Sequence, residues 1–155
     1  MKKYWPKLVT FFVVLLAYFL PSIIFPMDTE FYKSLNGPKL PPWVFAVAWL
    51  IIYITMSIFV TIFIFYSKEH KNNETKRITI FLIINYLIQA TFLPVFFLAK
   101  NLFLAYVVTL FTFITALIVA LESLLVNKKL TILTLPYLLW SAFASIISIL
   151  VYLQN

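Results

Sequence analysis

The chain has 155 residues, of which 64% are hydrophobic and 11% are charged, and its formal net charge is +7. A soluble domain of this size cannot bury so much apolar surface, so the composition predicts an integral membrane protein. Cysteine is absent and glycine occurs once, which excludes a disulfide framework, a thiolate metal site and a glycine-rich phosphate loop. The positive charges flank apolar runs, so we expect them to set membrane topology and not to bind nucleic acid.

Five runs without a charged residue divide the chain, and each is long enough to cross a hydrocarbon core of roughly 30 Å as a helix. We therefore predict an all-α fold in which residues 1–155 form one bundle of five transmembrane helices. The first run is too long for a signal peptide and lacks a small-residue cleavage site, and Pro21 should bend its last turns. Pro94 should likewise interrupt the helix of the third run toward its far end. The predicted spans are 8–27, 43–66, 78–99, 102–121 and 130–153.

The basic residues are divided unevenly between the two ends of these spans. The N-terminus, the loop 67–77 and the turn 122–129 hold nine of the twelve, namely Lys2, Lys3, Lys7, Lys68, Lys71, Lys76, Arg77, Lys128 and Lys129. The other end holds Lys33, Lys39 and Lys100. Loops rich in lysine and arginine stay in the cytoplasm, so we expect a cytoplasmic N-terminus and an outward-facing C-terminus in the cell membrane.

The stretch PKLPPWVFAVAWLIIY, residues 38–53, marks a candidate binding site. Pro41 and the proline after it fit a helix start, since proline fixes φ and lacks an N–H that the first turn leaves unpaired. Phe45, Trp49 and Tyr53 then place large aromatic rings in the first turns, and the last two share a face. We interpret the stretch as the mouth and wall of a binding cavity.

The connection before this helix, residues 28–42, is unusually long for a link between two helices. Connections of this length in compact domains are often functional, for example as lids over a site. We therefore expect this loop to close over the cavity.

Two further spans carry residues that fit a ligand site. Asn85 and Gln89 are four apart in the third span, and Phe92 extends the same stripe by one turn. Such amides either bond to neighbouring helices or anchor a ligand, and the spacing does not separate these explanations. In the fifth span Trp140 shares a face with Ala144, within small residues that either pack helices or leave room for a flat ligand.

Several kinds of chemistry are disfavoured. No span contains an ionisable acid or base, so ion-coupled transport lacks a titratable carrier. The one histidine, His70, lies in a polar loop, which argues against a catalytic triad, a metal site and histidine-ligated haem in the bundle. We therefore expect no metal ligand and no resident cofactor.

The sequence resembles the TspO/MBR family, the tryptophan-rich sensory proteins and translocator proteins, and its pattern is most similar to Bacillus-type members. The matching segments are FPMDTEFYKSLNGPKLPPWVFAVAWLIIY at 25–53, the Asn85 helix, KNLFLA at 100–105 and LPYLLWSAFA at 135–144. The resemblance implies a homodimer-forming five-helix bundle in which the first loop closes a cavity. It also implies binding of porphyrins, notably protoporphyrin IX, and of isoquinoline or benzodiazepine-type compounds, as a sensor or scavenger.

The resemblance further implies particular site residues. Trp49 and Trp140 match the paired pocket tryptophans, joined by Tyr32, Asn85 and Ala144. Light-dependent porphyrin degradation in some bacterial members gives the alternative of an enzyme whose catalytic residues are the two tryptophans, and a small-molecule transporter is a further alternative. Together with the residue patterns, the expected ligand-binding set is Tyr32, Pro41, Phe45, Trp49, Tyr53, Asn85, Gln89, Phe92, Trp140 and Ala144.

Overall fold

The computed structural model describes residues 4–155, which form helices and connections without a β-strand. The helices are α1 Trp5–Ile24, α2 Thr29–Ser34, α3 Pro42–Glu69, α4 Asn73–Ala90, α5 Leu102–Val126 and α6 Lys128–Leu153. A π-helical turn, Pro94–Leu98, follows α4. Helices α1, α3, α5 and α6, and α4 together with the π-helical turn, are long and apolar enough to cross a membrane. The all-α architecture with five such segments is thereby confirmed.

The prolines set several helix boundaries. Pro41 is the N-cap of α3 and the next residue is its first helical position, as the sequence predicted. The predicted end of the first span at residue 27 is wrong for the helix, because α1 ends at Ile24. Phe25 leaves the helical region with φ −120° and ψ 82°, and a proline after it disfavours the α conformation there.

The third span is interrupted near Pro94, also as predicted. Proline has no N–H to bond to the carbonyl four residues earlier, so α4 ends at Ala90 and the chain continues as a π-helical turn. In that turn the Ala99 N–H bonds to the Pro94 carbonyl at 2.9 Å. The irregular turn leaves Phe96 and Phe97 buried against the loop that precedes α3.

The helices form a closed ring in the order α1, α3, α6, α5, α4. Helix α3 packs on α1 and α6, and α5 packs on α6 and α4. The Tyr86 hydroxyl donates to the Ala17 carbonyl at 2.8 Å, which joins α4 to α1. Because the five long segments alternate in direction, the described N-terminal residues and the C-terminus lie at opposite ends. Lys2 and Lys3, part of the predicted charge asymmetry, lie outside the described residues.

The interior of the bundle is packed with large side chains, while its outer surface stays apolar. Phe59, Met56 and Ile78 are almost completely buried between the helices. Leu16 on α1 and Leu139 on α6 are instead mostly exposed. Since these exposed side chains lie on membrane-length helices, their surroundings in the native protein are lipid.

Candidate functional site

Two tryptophans from facing helices lie at the centre of the candidate site. The rings of Trp49 on α3 and Trp140 on α6 are 6.5 Å apart between centroids and meet edge to face at 77°. Phe45 lies 5.8 Å from Trp140, and Tyr53 lies 5.4 Å from Trp49. The packing of α3 against α6 therefore brings together four aromatic residues that lie up to 95 positions apart in the sequence, from Phe45 to Trp140.

Tyr32, on the short helix α2, adds a fifth ring to this group. Its ring lies 5.7 Å from that of Phe45, in an edge-to-face arrangement. Its hydroxyl donates to the Leu40 carbonyl and accepts from the Leu40 N–H, both at 3.0 Å. Burial raises the pKa of the Tyr32 phenol, so it keeps its proton and can donate at neutral pH. We call Tyr32, Phe45, Trp49, Tyr53 and Trp140 the aromatic cluster.

Residues 28–41, which we call the lid, join this cluster through Tyr32 and are attached at their beginning by a charged pair. The Asp28 carboxylate accepts from the Phe31 N–H at 2.9 Å and lies 3.5 Å from the Lys100 ammonium. The Phe31 N–H first, and then Lys100, hold the pKa of Asp28 below its usual value. The Lys100 ammonium also lies 4.9 Å from the Phe31 ring centre, so the connection before α5 contacts the lid twice.

The lid is attached a second time to the end of α6. The Asn36 N–H donates to Asn155 Oδ1 at 2.8 Å, and Asn155 Nδ2 donates to the Asn36 carbonyl at 3.0 Å. Gly37, the only glycine in the chain, follows with φ +101°, a conformation that other residues rarely adopt. A Cβ there would also lie 3.2 Å from Gln154 Oε1, so the turn fits glycine in both conformation and space.

Asn85 lies deeper in the bundle and joins three helices. Its Nδ2 donates to the Thr112 carbonyl at 3.0 Å and to Thr115 Oγ1 at 2.8 Å, both on α5. Its Oδ1 accepts from the Tyr137 hydroxyl on α6 at 2.8 Å. Only 2% of Asn85 is exposed, and both of its amide atoms have partners. These bonds fit the interhelical explanation of the residue, and its contact with a ligand stays a prediction.

Gln89 and Phe92 occupy different positions along the same stripe. Gln89 is buried, and its Oε1 lacks a hydrogen-bond partner among the described residues. Phe92 stacks on Phe96 with ring centres 5.4 Å apart, and Phe96 meets Phe31 of the lid at 5.7 Å. Phe92 therefore belongs to a second group of rings, beneath α2, and does not touch the tryptophan pair through a ring contact.

The remaining expected site residues lie at the rim and on α6. Pro41 is exposed at the start of α3, beside Leu40, which bonds to Tyr32. Ala144 is partly buried on α6, one helical turn after Trp140. The structure thus gathers most of the expected residues at the lid end of the bundle.

Several residues near this site escaped the sequence analysis. Phe143 meets Trp140 at 5.6 Å, and Tyr18 and Phe19 of α1 meet Tyr53 at 5.8 Å and 4.9 Å. Phe96 was also missed, although its spacing of four from Phe92 continued a recognised stripe. Membrane helices that are apolar on every side give little indication of which rings face inward.

Comparison with known proteins agrees with this architecture over nearly the whole chain. The model of the TspO/MBR family matches residues 9–153. The Tryptophan-rich protein TspO of Bacillus cereus is 29% identical over 151 residues, covering 96% of each chain. An uncharacterized membrane protein of Bacillus subtilis, YtaB, is 29% identical over 157 aligned positions, covering 100% of this chain and 99% of its own.

Proposed function

Because the chain belongs to the TspO/MBR family, we propose that it binds a flat tetrapyrrole of the protoporphyrin IX type in the aromatic cluster, as a sensor or scavenger. Family membership supports a membrane protein that binds tetrapyrroles or similar ligands in general. The observation that carries the specific proposal is the convergence of four aromatic rings from α3 and α6 with a fifth ring, Tyr32, from the lid. The same surface suits isoquinoline and benzodiazepine-type compounds, which are also flat and aromatic.

The chemistry of the site suits such a ligand. Aromatic side chains stack on a flat ring or meet its edge, and each such pair contributes about 0.5–1.5 kcal/mol beyond the burial of its surface. A porphyrin also carries carboxylates, which need cations or water. Lys33, Lys39 and Lys100 lie at the lid end, where they can meet carboxylates at the mouth of the site.

Binding requires the rings to separate. Trp140 contacts both Phe45 and Trp49, so a flat ligand can enter only if these rings move apart. Tyr32 of the lid packs against Phe45, and the lid is attached at Asp28 and Asn36. We therefore expect ligand entry and release to follow opening of the lid.

A fluorescence titration with protoporphyrin IX tests the proposal. In Trp140→Ala the indole contacts and the buried area are lost, so we expect the dissociation constant to rise by about tenfold or more. Trp5→Ala is the matched control, since this tryptophan is 67% exposed at the opposite end of the bundle. Equal affinities of the parent and both variants would contradict binding in the aromatic cluster.

A second candidate function is light-dependent oxidation of the bound porphyrin by dioxygen. It is favoured by the contact between Trp49, Trp140 and Tyr53, because indole and phenol rings can give an electron to an oxidised ring beside them. This contact places oxidisable side chains next to the proposed ligand position. The two tryptophans would then act as catalytic residues, while binding alone needs only their shape.

The five apolar segments and the family make the chain a multi-pass membrane protein. We propose that its N-terminus lies in the cytoplasm and its C-terminus outside the cell membrane. The excess of lysine and arginine at the end opposite the lid supports this orientation. A second copy of the chain is the proposed protein partner, as the family resemblance implies.

A further inference from the structure

Two lysines from different helices lie close to one ring at the end of the bundle opposite the lid. The ammonium group of Lys7 on α1 is 5.5 Å from the centre of the Phe65 ring, and that of Lys68 on α3 is 5.1 Å from the same centre. Both lysines are exposed, and Phe65 is partly buried between them. The ring stabilises each cation only modestly, and it does not cancel their mutual repulsion.

Within residues 4–155, neither lysine forms an ion pair with an acidic side chain. Glu122 is taken by Arg77, whose Nε and Nη2 donate to its two oxygens at 2.9 Å each. Glu74 lies 3.9 Å from the same guanidinium group. The two carboxylates that form ion pairs at this end, Glu74 and Glu122, therefore pair with Arg77 and not with Lys7 or Lys68.

An apolar groove begins beside Lys7. It has a volume of about 520 Å³ and is lined by Tyr4, Trp5, Lys7, Leu8 and Phe11. Apart from the lysine head group, this lining is almost entirely apolar or aromatic. Trp5 is 67% exposed and Tyr4 is 73% exposed, which suits amphipathic rings at the boundary between head groups and acyl chains.

We propose that this place is a binding site for one anionic phospholipid. Its phosphate pairs with the Lys7 and Lys68 ammonium groups beside the Phe65 ring, and one acyl chain follows the groove along Trp5, Leu8 and Phe11. The long Lys7 side chain can reach from its apolar surroundings toward the head-group region, which matches the position of a lipid phosphate. This inference is independent of the porphyrin proposal, because the site is at the other end of the bundle.

The combination of charge and groove distinguishes a site from a generally basic surface. The lysines at positions 71, 76, 128 and 129 share this end, but none of them lies over a ring beside an apolar groove. If the basic end attracted anionic lipid without a specific site, all lysines at this end would contribute about equally to lipid binding. A built site would depend mainly on Lys7 and Lys68.

Native mass spectrometry of the full-length protein in detergent, with phosphatidylglycerol and phosphatidylcholine of identical chains, separates these cases. We expect the parent protein to retain phosphatidylglycerol in preference to phosphatidylcholine. The double variant Lys7→Gln/Lys68→Gln should lower the affinity of the protein for phosphatidylglycerol by roughly 30-fold. This estimate takes about fivefold, or about 1 kcal/mol, for each lysine near a lipid head group. The control is Lys128→Gln/Lys129→Gln, which removes the same charge and should change the affinity less than about threefold.

Two further variants keep the test decisive. Lys7→Arg/Lys68→Arg retains the charges and should retain the preference, and Leu8→Gln should weaken both lipids by making the groove polar. Thermal unfolding of each variant shows that the bundle is intact, as expected for exposed positions. Equal retention of the two lipids by the parent, or equal losses in the two glutamine pairs, would overturn the proposal.

Discussion

Replacing Asn85 by leucine should destabilise the bundle because it leaves a buried hydroxyl without a partner. The Tyr137 hydroxyl donates to Asn85 Oδ1 at 2.8 Å, and this is its one hydrogen bond among the described residues. Only 3% of Tyr137 is exposed, so water cannot replace the lost partner. Thr115 is less affected, since its hydroxyl still donates to the Phe111 carbonyl at 2.8 Å.

The size of the effect follows from these contacts. A buried polar group left unpaired costs about 1–3 kcal/mol, so Asn85→Leu should lower the free energy of unfolding by that amount. Tyr137→Phe removes the same bond from the other side and should cost somewhat less, since Asn85 keeps its two bonds to α5. The loss in the double variant should be smaller than the sum of the two single losses by about 0.6 kcal/mol, the average for hydrogen bonds between membrane helices, and by about 1.7 kcal/mol at most.

Reversible unfolding in mixed micelles with increasing denaturing detergent, followed by near-ultraviolet circular dichroism, measures these energies. Additive losses, within about 0.3–0.5 kcal/mol, would refute the idea that Asn85 and Tyr137 stabilise the bundle through their mutual bond. The porphyrin affinity of Asn85→Leu then addresses the other explanation. An unchanged affinity together with reduced stability would remove Asn85 from the ligand site.

The remaining predictions concern the lid, the tryptophans and the topology. Asn155→Ala removes two exposed hydrogen bonds to Asn36, worth about 1 kcal/mol together, so stopped-flow fluorescence should show porphyrin leaving about fivefold faster. The melting temperature should fall by no more than about 2–4 °C, and a much larger fall would mean that the lid is structural. At a pH above the usual aspartate pKa of about 3.9, the charged Asp28 carboxylate stabilises the closed position of the lid. This stabilisation should be lost as the pH falls through the lowered pKa that Asp28 has in the folded protein. Porphyrin release should accelerate there in the parent but stay flat in Asp28→Asn. Trp49→Phe and Trp140→Phe should each weaken binding only a few-fold, and if both degrade porphyrin in light like the parent, indole redox chemistry is excluded. A C-terminal reporter that is active only in the cytoplasm should stay silent, and a signal from it would reverse the proposed orientation.

The lid illustrates how a local signal and a distant contact combine. The length of residues 28–42 indicated a functional loop. The short helix α2 and the attachment of Asn36 to Asn155 could not be inferred in the same way. The two asparagines are 119 residues apart, and they meet only because α6 ends beside the turn at Gly37.

The sequence by itself determined the features that depend on neighbouring residues. Uncharged runs of membrane length predicted the five helices, and the proline chemistry at Pro41 and Pro94 predicted a helix start and an interruption. The tertiary structure decided which side of each helix faces the interior. It placed Trp49 against Trp140 and bonded Asn85 to α5 and α6. The physical reason is that helices with apolar residues on all sides carry no strong signal of their orientation, so contacts across the bundle depend on how the helices are rotated and ordered.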